Sequence, residues 1–122
     1  MSTSIQIKRI YDPPAESDGY RVLVDRLWPR GMKKEAADID EWAKDLAPST
    51  DLRKWFGHEP RLWSDFENRY MDELKANDAV SSFAKAHGTE KSITLLYAAK
   101  DVEHNHAIVL KKYLATRFRQ TK

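Results

Sequence analysis

Within Tyr20–Met32, YRVLVDRLWPRGM, an unbroken apolar run, Val22-Leu23-Val24, stops abruptly at Asp25-Arg26. A short apolar run without alternation marks a strand buried on both faces, as in a parallel sheet with helices packed over it. Charged groups then collect at its C-terminal end, where Asp25, Arg26 and Arg30 surround Trp28-Pro29 and Gly31. Pro29 drives the residue before it into an extended conformation, and Gly31 admits a sharp turn. The layout recurs far along the chain. Ile93-Thr94-Leu95-Leu96-Tyr97 runs into Ala98-Ala99-Lys100-Asp101, and His104-Asn105-His106 then leads into a helical pattern. The two stretches read as neighbouring strands whose ends share one site.

The remaining elements follow from periodicity and punctuation. Ile5 to Tyr11 alternates apolar and polar residues, the signal of a half-buried strand, and Asp12 to Gly19 is a loop rich in Pro, Ser and Asp. From Lys33 to Ala47, Ile39, Trp42, Ala43 and Leu46 fall at i, i+3, i+4, i+7, which predicts a helix; a short edge strand over Asp38–Trp42 is the alternative. Pro48 stops that element, and Ser49 or Thr50 caps a short helix through Trp55 and Phe56 to Gly57. Pro60 opens the longest predicted helix, with Leu62, Trp63, Phe66, Tyr70 and Leu74 on its apolar face. A further helix spans about 79–86 and closes at His87-Gly88. The strand Ser92–Tyr97 is apolar on both alternations and therefore central. A last helix, about 105–119, buries Ile108, Leu110, Tyr113, Leu114 and Phe118. Three strands with helices between and after them predict an α/β fold: a small single domain over residues 1–122 with a short, mainly parallel sheet flanked by helices.

Composition narrows the chemistry. In 122 residues there is no cysteine, which removes disulfides, thiolate metal sites and every reaction with a cysteine nucleophile at a strand end. No segment approaches the roughly 18 consecutive apolar residues that span a bilayer, and the N-terminus has no signal-like run, so a soluble cytoplasmic protein is expected. Lys and Arg number 21 against 19 Asp and Glu, giving no global argument for nucleic acid. Locally, Asp38, Asp40, Glu41, Asp45 and Asp51 form an acidic stretch, and Lys111, Lys112, Arg117, Arg119 and Lys122 form a basic tail that also complements a helix C-terminus.

Ligands of open α/β sheets bind at the carboxyl ends of strands, often over a helix N-terminus. If the two polar strand ends are adjacent, Arg26, Arg30 and Lys100 converge beside the start of the final helix at Asn105, an arrangement suited to a phosphate or carboxylate. The competing reading is an ion network in which Asp25 pairs with Arg26, Arg30 or Lys100 and only fixes the loops. His104 and His106 point in different directions if helical, and no third ligand is evident although His58 could approach, so no metal and no cofactor is expected. One of the two histidines caps the helix start or transfers protons. In Trp55-Phe56-Gly57-His58-Glu59-Pro60, His58 and the preceding Arg53 face the same cleft or else belong to a satellite core and turn. Ser49 lacks the flanking glycines of a nucleophile elbow and reads as a cap.

VLVDRLWPRG, DLAPSTDLRKWFGHEP and TLLYAAKDVEHNHAIVLKKYL, taken together in this order, resemble the YeaO-like family of uncharacterised bacterial proteins, the domain of unknown function 488. The resemblance covers nearly the whole chain and implies a compact α/β domain. It implies little about activity. It adds Trp28, Gly31, Ser49, Trp55, Phe56, Tyr97 and Asp101 to the positions of interest. The expected function is a small enzyme or ligand-binding domain acting on an anionic small molecule. Asp25, His58 and His104 are the proton-transfer candidates; Arg26, Arg30, Arg53, Lys100, Asn105 and His106, with Trp28 and Tyr97 from the resemblance, are the ligand-binding candidates. The alternatives are a nucleic-acid or protein-binding module using the basic final helix, and an accessory subunit without chemistry.

Overall fold

The computed structural model describes residues 3–120, with side chains through 118. Four strands, β1 (Ser4–Arg9), β2 (Tyr20–Leu23), β3 (Glu41–Trp42) and β4 (Ser92–Tyr97), form one sheet in the order β1-β4-β2-β3, with every pair parallel. The helices are α1 (Lys34–Ala37), α2 (Thr50–Phe56), α3 (Trp63–Ala76), α4 (Asp78–His87) and α5 (His106–Gln120). The unbroken apolar β4 is central: Leu95 lies opposite Ile7 of β1 on one side and Val22 of β2 on the other.

Successive strand residues face opposite ways, and this divides the core in two. Val22, Val24, Ile93, Leu95 and Tyr97 pack with the buried residues of α2, α3, α4 and α5 in the larger cluster. Leu23 and Leu96 join Ile10 and Ala37 in a smaller one, covered by Trp28, Met32 and Ile39. Ser49 Oγ accepts the Leu52 amide at 3.1 Å, and Gly57 closes α2 at φ +54°, as the punctuation predicts. Pro60 opens a 3-10 turn that runs directly into α3, although α5, at 15 residues, is one residue longer than α3.

The predicted helix over Lys33–Ala47 is not formed. Its place is taken by the single turn of α1, the edge strand β3 and a 3-10 turn at Lys44–Leu46. Asp38 adopts a left-handed conformation (φ 46°, ψ 52°) and ends α1. The cause lies in β2. Arg21, 4% exposed, donates from Nε to the Asp38 carbonyl and from Nη2 to the Ala37 carbonyl, both at 2.8 Å. The Arg21 amide donates to Asp40 Oδ2 at 2.9 Å, and the Asp40 amide donates to the Arg21 carbonyl at 2.8 Å. Residues 38–42 are thereby drawn out of helical register and laid beside β2. The sheet accordingly has four strands, not three.

The Arg21 guanidinium also pairs with Asp18, 3% exposed, whose carboxylate receives Lys8 Nζ at 3.1 Å and the Ala15 amide at 3.0 Å. Burial pushes the Asp18 carboxyl up, but the Ala15 amide, Lys8 and Arg21 together hold it below the ordinary value of 3.8. A depressed carboxyl stabilises the fold at pH above its unfolded value and loses that contribution as pH falls through the folded one. Stability measured by urea unfolding is therefore expected to decline below pH 3.8, and Asp18→Asn is expected to flatten that acid limb.

Candidate functional site

Because β2 and β4 are hydrogen-bonded neighbours, their C-terminal ends lie side by side. Asp25 joins them: its Oδ2 accepts the Ala98 amide at 2.9 Å, while the Val24 amide donates to the Leu96 carbonyl at 3.0 Å. Trp42 Nε1 donates to the Asp25 carbonyl at 2.8 Å and fixes the backbone from the β3 side. Here a cleft of about 700 Å³ opens.

Its far wall is the segment between β3 and α2, and α3 holds that wall in place. The Tyr70 hydroxyl donates to the Leu46 carbonyl at 2.6 Å, the Glu73 carboxylate takes the Ser49 amide and hydroxyl at 2.9 and 2.6 Å, and Asn77 Nδ2 donates to the Asp45 carbonyl at 2.8 Å. Burial raises the Tyr70 hydroxyl well above its ordinary range, so it stays a donor. Arg26 reaches across and donates from Nε to the Pro48 carbonyl and from Nη2 to the Ala47 carbonyl, each at 3.3 Å. This arginine therefore bridges the two sides of the cleft.

The floor is the start of α5. Asp101 Oδ1 accepts the amides of Glu103 and His104 at 2.9 and 3.0 Å, and Oδ2 lies 3.0 Å from His104 Nδ1. The Glu103 amide, with His104, holds the Asp101 carboxyl below its usual range. Asn105, 2% exposed, donates to the Asp101 carbonyl at 3.0 Å and accepts the Ile108 amide at 3.2 Å. The helix cap is thus Asn105 and not either histidine. His104 instead stands edge-on to Trp63, with ring centres 5.4 Å apart.

His106 turns toward Asp25. Its Nε2 is 3.0 Å from the Val24 carbonyl oxygen and 3.1 Å from Asp25 Oδ1, and both side chains are 16% exposed. A carbonyl oxygen only accepts, so Nε2 carries the proton, and in the neutral ring the lone pair sits on Nδ1. One proton faces two acceptors. Asp25 Oδ1 consequently remains, among the described residues, a buried side-chain oxygen without a properly aligned hydrogen bond.

The cleft is lined by Asp25, Arg26, Arg30, Arg53, His58, His104, Asn105 and His106 of the sequence-predicted positions, together with Lys54, Leu27, Phe56 and Phe66. Trp28, Tyr97 and Lys100 do not line it. Trp28 donates to the Met32 carbonyl at 2.7 Å and covers the smaller core; Tyr97 is buried in the larger one, and burial raises its hydroxyl; Lys100 is exposed on the loop beyond β4. The anticipated ion network of Asp25 with Arg26, Arg30 or Lys100 is not formed; the basic side chain that approaches Asp25 among the described residues is His106, at 3.1 Å. No carboxylate pairs with Arg26, Arg30, Arg53 or Lys54 among the described residues. No cluster of three metal-ligating side chains occurs among them either. The sequence pattern missed Lys54, an exposed residue on α2, because a lysine one position from Arg53 carries no signal of facing the same way. On α5, Lys112 pairs with Glu67 at 2.8 Å; the Arg119 side chain and Lys122 of the basic tail lie outside the described residues. No helix among the described residues is long and apolar enough to cross a membrane.

A short parallel sheet flanked by helices, with a cationic cleft over the ends of its two middle strands, defines a small α/β domain of the kind that places its site at strand C-termini. The chain belongs to the family described as "Inactive DUF488-N3 subclade", whose model matches residues 4–122. It is 46% identical over 111 residues to Uncharacterized protein YeaO of Escherichia coli, covering 91% of this chain and 96% of that one. It is 38% identical over 112 residues to Uncharacterized protein Rv3073c of Mycobacterium tuberculosis and to Uncharacterized protein Mb3100c of Mycobacterium bovis, covering 92% of this chain and 94% of each. The likeness carried by the three sequence strings is therefore one of family. No solved structure matches the chain.

Proposed function

We propose that this domain binds a small anionic molecule in the cleft at the ends of β2 and β4 and holds it without chemical turnover. The observation that carries the reading is electrostatic. Arg26, Arg30, Arg53 and Lys54 line the cleft against one carboxylate, Asp25, a local excess of three positive charges in a chain whose net charge is +2. Cations gathered without carboxylate partners repel one another, and an anion between them relieves that repulsion. The start of α5 adds the favourable end of a helix dipole. Binding is favoured over catalysis because the family carries the description "Inactive". Of the proton-transfer candidates, His104 is held by Asp101 and Asp25 accepts the Ala98 amide with His106 beside it, which leaves His58, exposed at the cleft, without a carboxylate among the described residues to orient it. On this reading the domain meets its ligand in the cytoplasm, a setting compatible with a chain that has no cysteine.

Calorimetric titration with pyrophosphate and citrate at low salt tests the proposal. Arg30 and Arg53 are exposed and make no side-chain ion pair, so Arg30→Ala with Arg53→Ala should leave stability within about 0.5 kcal/mol of the parent. The same double variant is expected to lose at least about tenfold in affinity for either anion, the loss of two charge-assisted contacts. Unchanged affinity, or no binding of either anion by the parent, would remove the reading and bring forward single-stranded and duplex nucleic acid as the next ligands to titrate.

A further inference from the structure

The one carboxylate in the cationic cleft is not neutralised by any of the cations around it. An anion seated among Arg26, Arg30, Arg53 and Lys54 meets Asp25 as a like charge unless the anion itself carries a proton to donate. The hydrogen bonding of Asp25 is arranged to receive one. Its Oδ2 accepts a single donor, the Ala98 amide at 2.9 Å, and keeps a second lone pair. Its Oδ1 shares the one Nε2 proton of His106 with the Val24 carbonyl and gets no aligned hydrogen bond from it. The cleft therefore combines cations without carboxylate partners, which attract an anion, with a carboxylate whose hydrogen-bonding capacity is not filled.

Building on the anion-binding reading of the cleft, we infer that the site selects an anion that brings its own hydrogen-bond donor, and takes hydrogen phosphate in preference to sulfate. The two are tetrahedral oxyanions of nearly equal size. At mildly alkaline pH both are dianions, so they differ chiefly in the P–OH proton. A cluster of cations alone does not distinguish them. A buried acceptor does, because sulfate would leave it unpaired against a negative oxygen.

The test is a pair of calorimetric titrations of the full chain with inorganic phosphate and with sulfate, at one mildly alkaline pH and one low ionic strength. Phosphate is expected to bind about tenfold more tightly or better. Asp25→Asn keeps an oxygen for the Ala98 amide and replaces the second acceptor with an NH2 donor; it is expected to reduce the preference to near parity or to reverse it. Equal affinity of the parent for the two anions overturns this inference while leaving the anion site standing. Binding of neither overturns both. A phosphate preference that survives Asp25→Asn overturns the role given to Asp25. If Asp25→Asn does not fold, the ratio measured on the parent decides alone.

Discussion

Replacing Arg21 with methionine is expected to lower the stability of this domain by about 3–5 kcal/mol, the usual consequence of removing one partner of a buried ion pair. Methionine retains most of the aliphatic volume, so the loss reports the guanidinium and not a cavity. That group does three things at once. It neutralises Asp18 at a site where both side chains are almost fully buried, it satisfies the carbonyls of Ala37 and Asp38 that end α1, and through those bonds it sets the turn that delivers β3 to the sheet edge. Without it, Asp18 keeps Lys8 and the Ala15 amide, and the two carbonyls lose their donors. Thermal unfolding should show a fall of roughly 10–20 °C for a chain of this size. A change under about 1 kcal/mol would mean that desolvation and attraction nearly cancel in the pair, and that the turn at Asp38 is held by something else.

A comparable loss, roughly 3–5 kcal/mol, is expected from Gly19→Ala, from backbone strain and overpacking combined. Gly19 stands between the Glu16–Asp18 turn and β2 with φ +66° and ψ −131°, a conformation that residues with a Cβ rarely adopt. A methyl group there would lie 2.4 Å from the Ser92 carbonyl oxygen and 2.7 Å from Ser92 Cβ. Ser92 opens β4, which is paired on both sides, so the obstacle is backbone that has no room to retreat. Gly31→Ala is the internal control. It has φ +75° with nothing within 4 Å of the added carbon, and is expected to cost only the conformational strain, about 1–2 kcal/mol. Urea unfolding of the two variants side by side separates the terms. If they were equally destabilised, contact with Ser92 would contribute nothing.

The two cases mark where sequence and structure part company. The apolar runs at Val22–Val24 and Ile93–Tyr97, the charged residues after each, the Ser49 cap, the Gly57 stop and the Pro60 start were all legible, because each is a local rule: a periodicity, a proline, a glycine, a capping side chain. Their consequence was legible too, since two buried parallel strands with polar ends are sufficient to predict an α/β domain and to say at which end its charged groups gather. Membership of the family followed from the same strings.

What the local rules could not supply was partnership. Ile39, Trp42, Ala43 and Leu46 have helical spacing, yet Arg21, far back in the chain, takes the carbonyls that would have continued the helix, so that Trp42 falls in an edge strand and Leu46 in a 3-10 turn. Asp25 and His106 were both evident as polar residues near strand ends, but nothing in either neighbourhood says that one faces the other; the order β1-β4-β2-β3 brings them to 3.1 Å. The same order leaves Lys100 outside the cleft and Lys54 inside it. The sequence by itself determined which segments are buried and which end of the sheet is charged, since burial and punctuation act over a few residues. Only the tertiary structure decided which charges meet, because a hydrogen bond or an ion pair depends on distances of about 3 Å between groups the chain separates by dozens of residues.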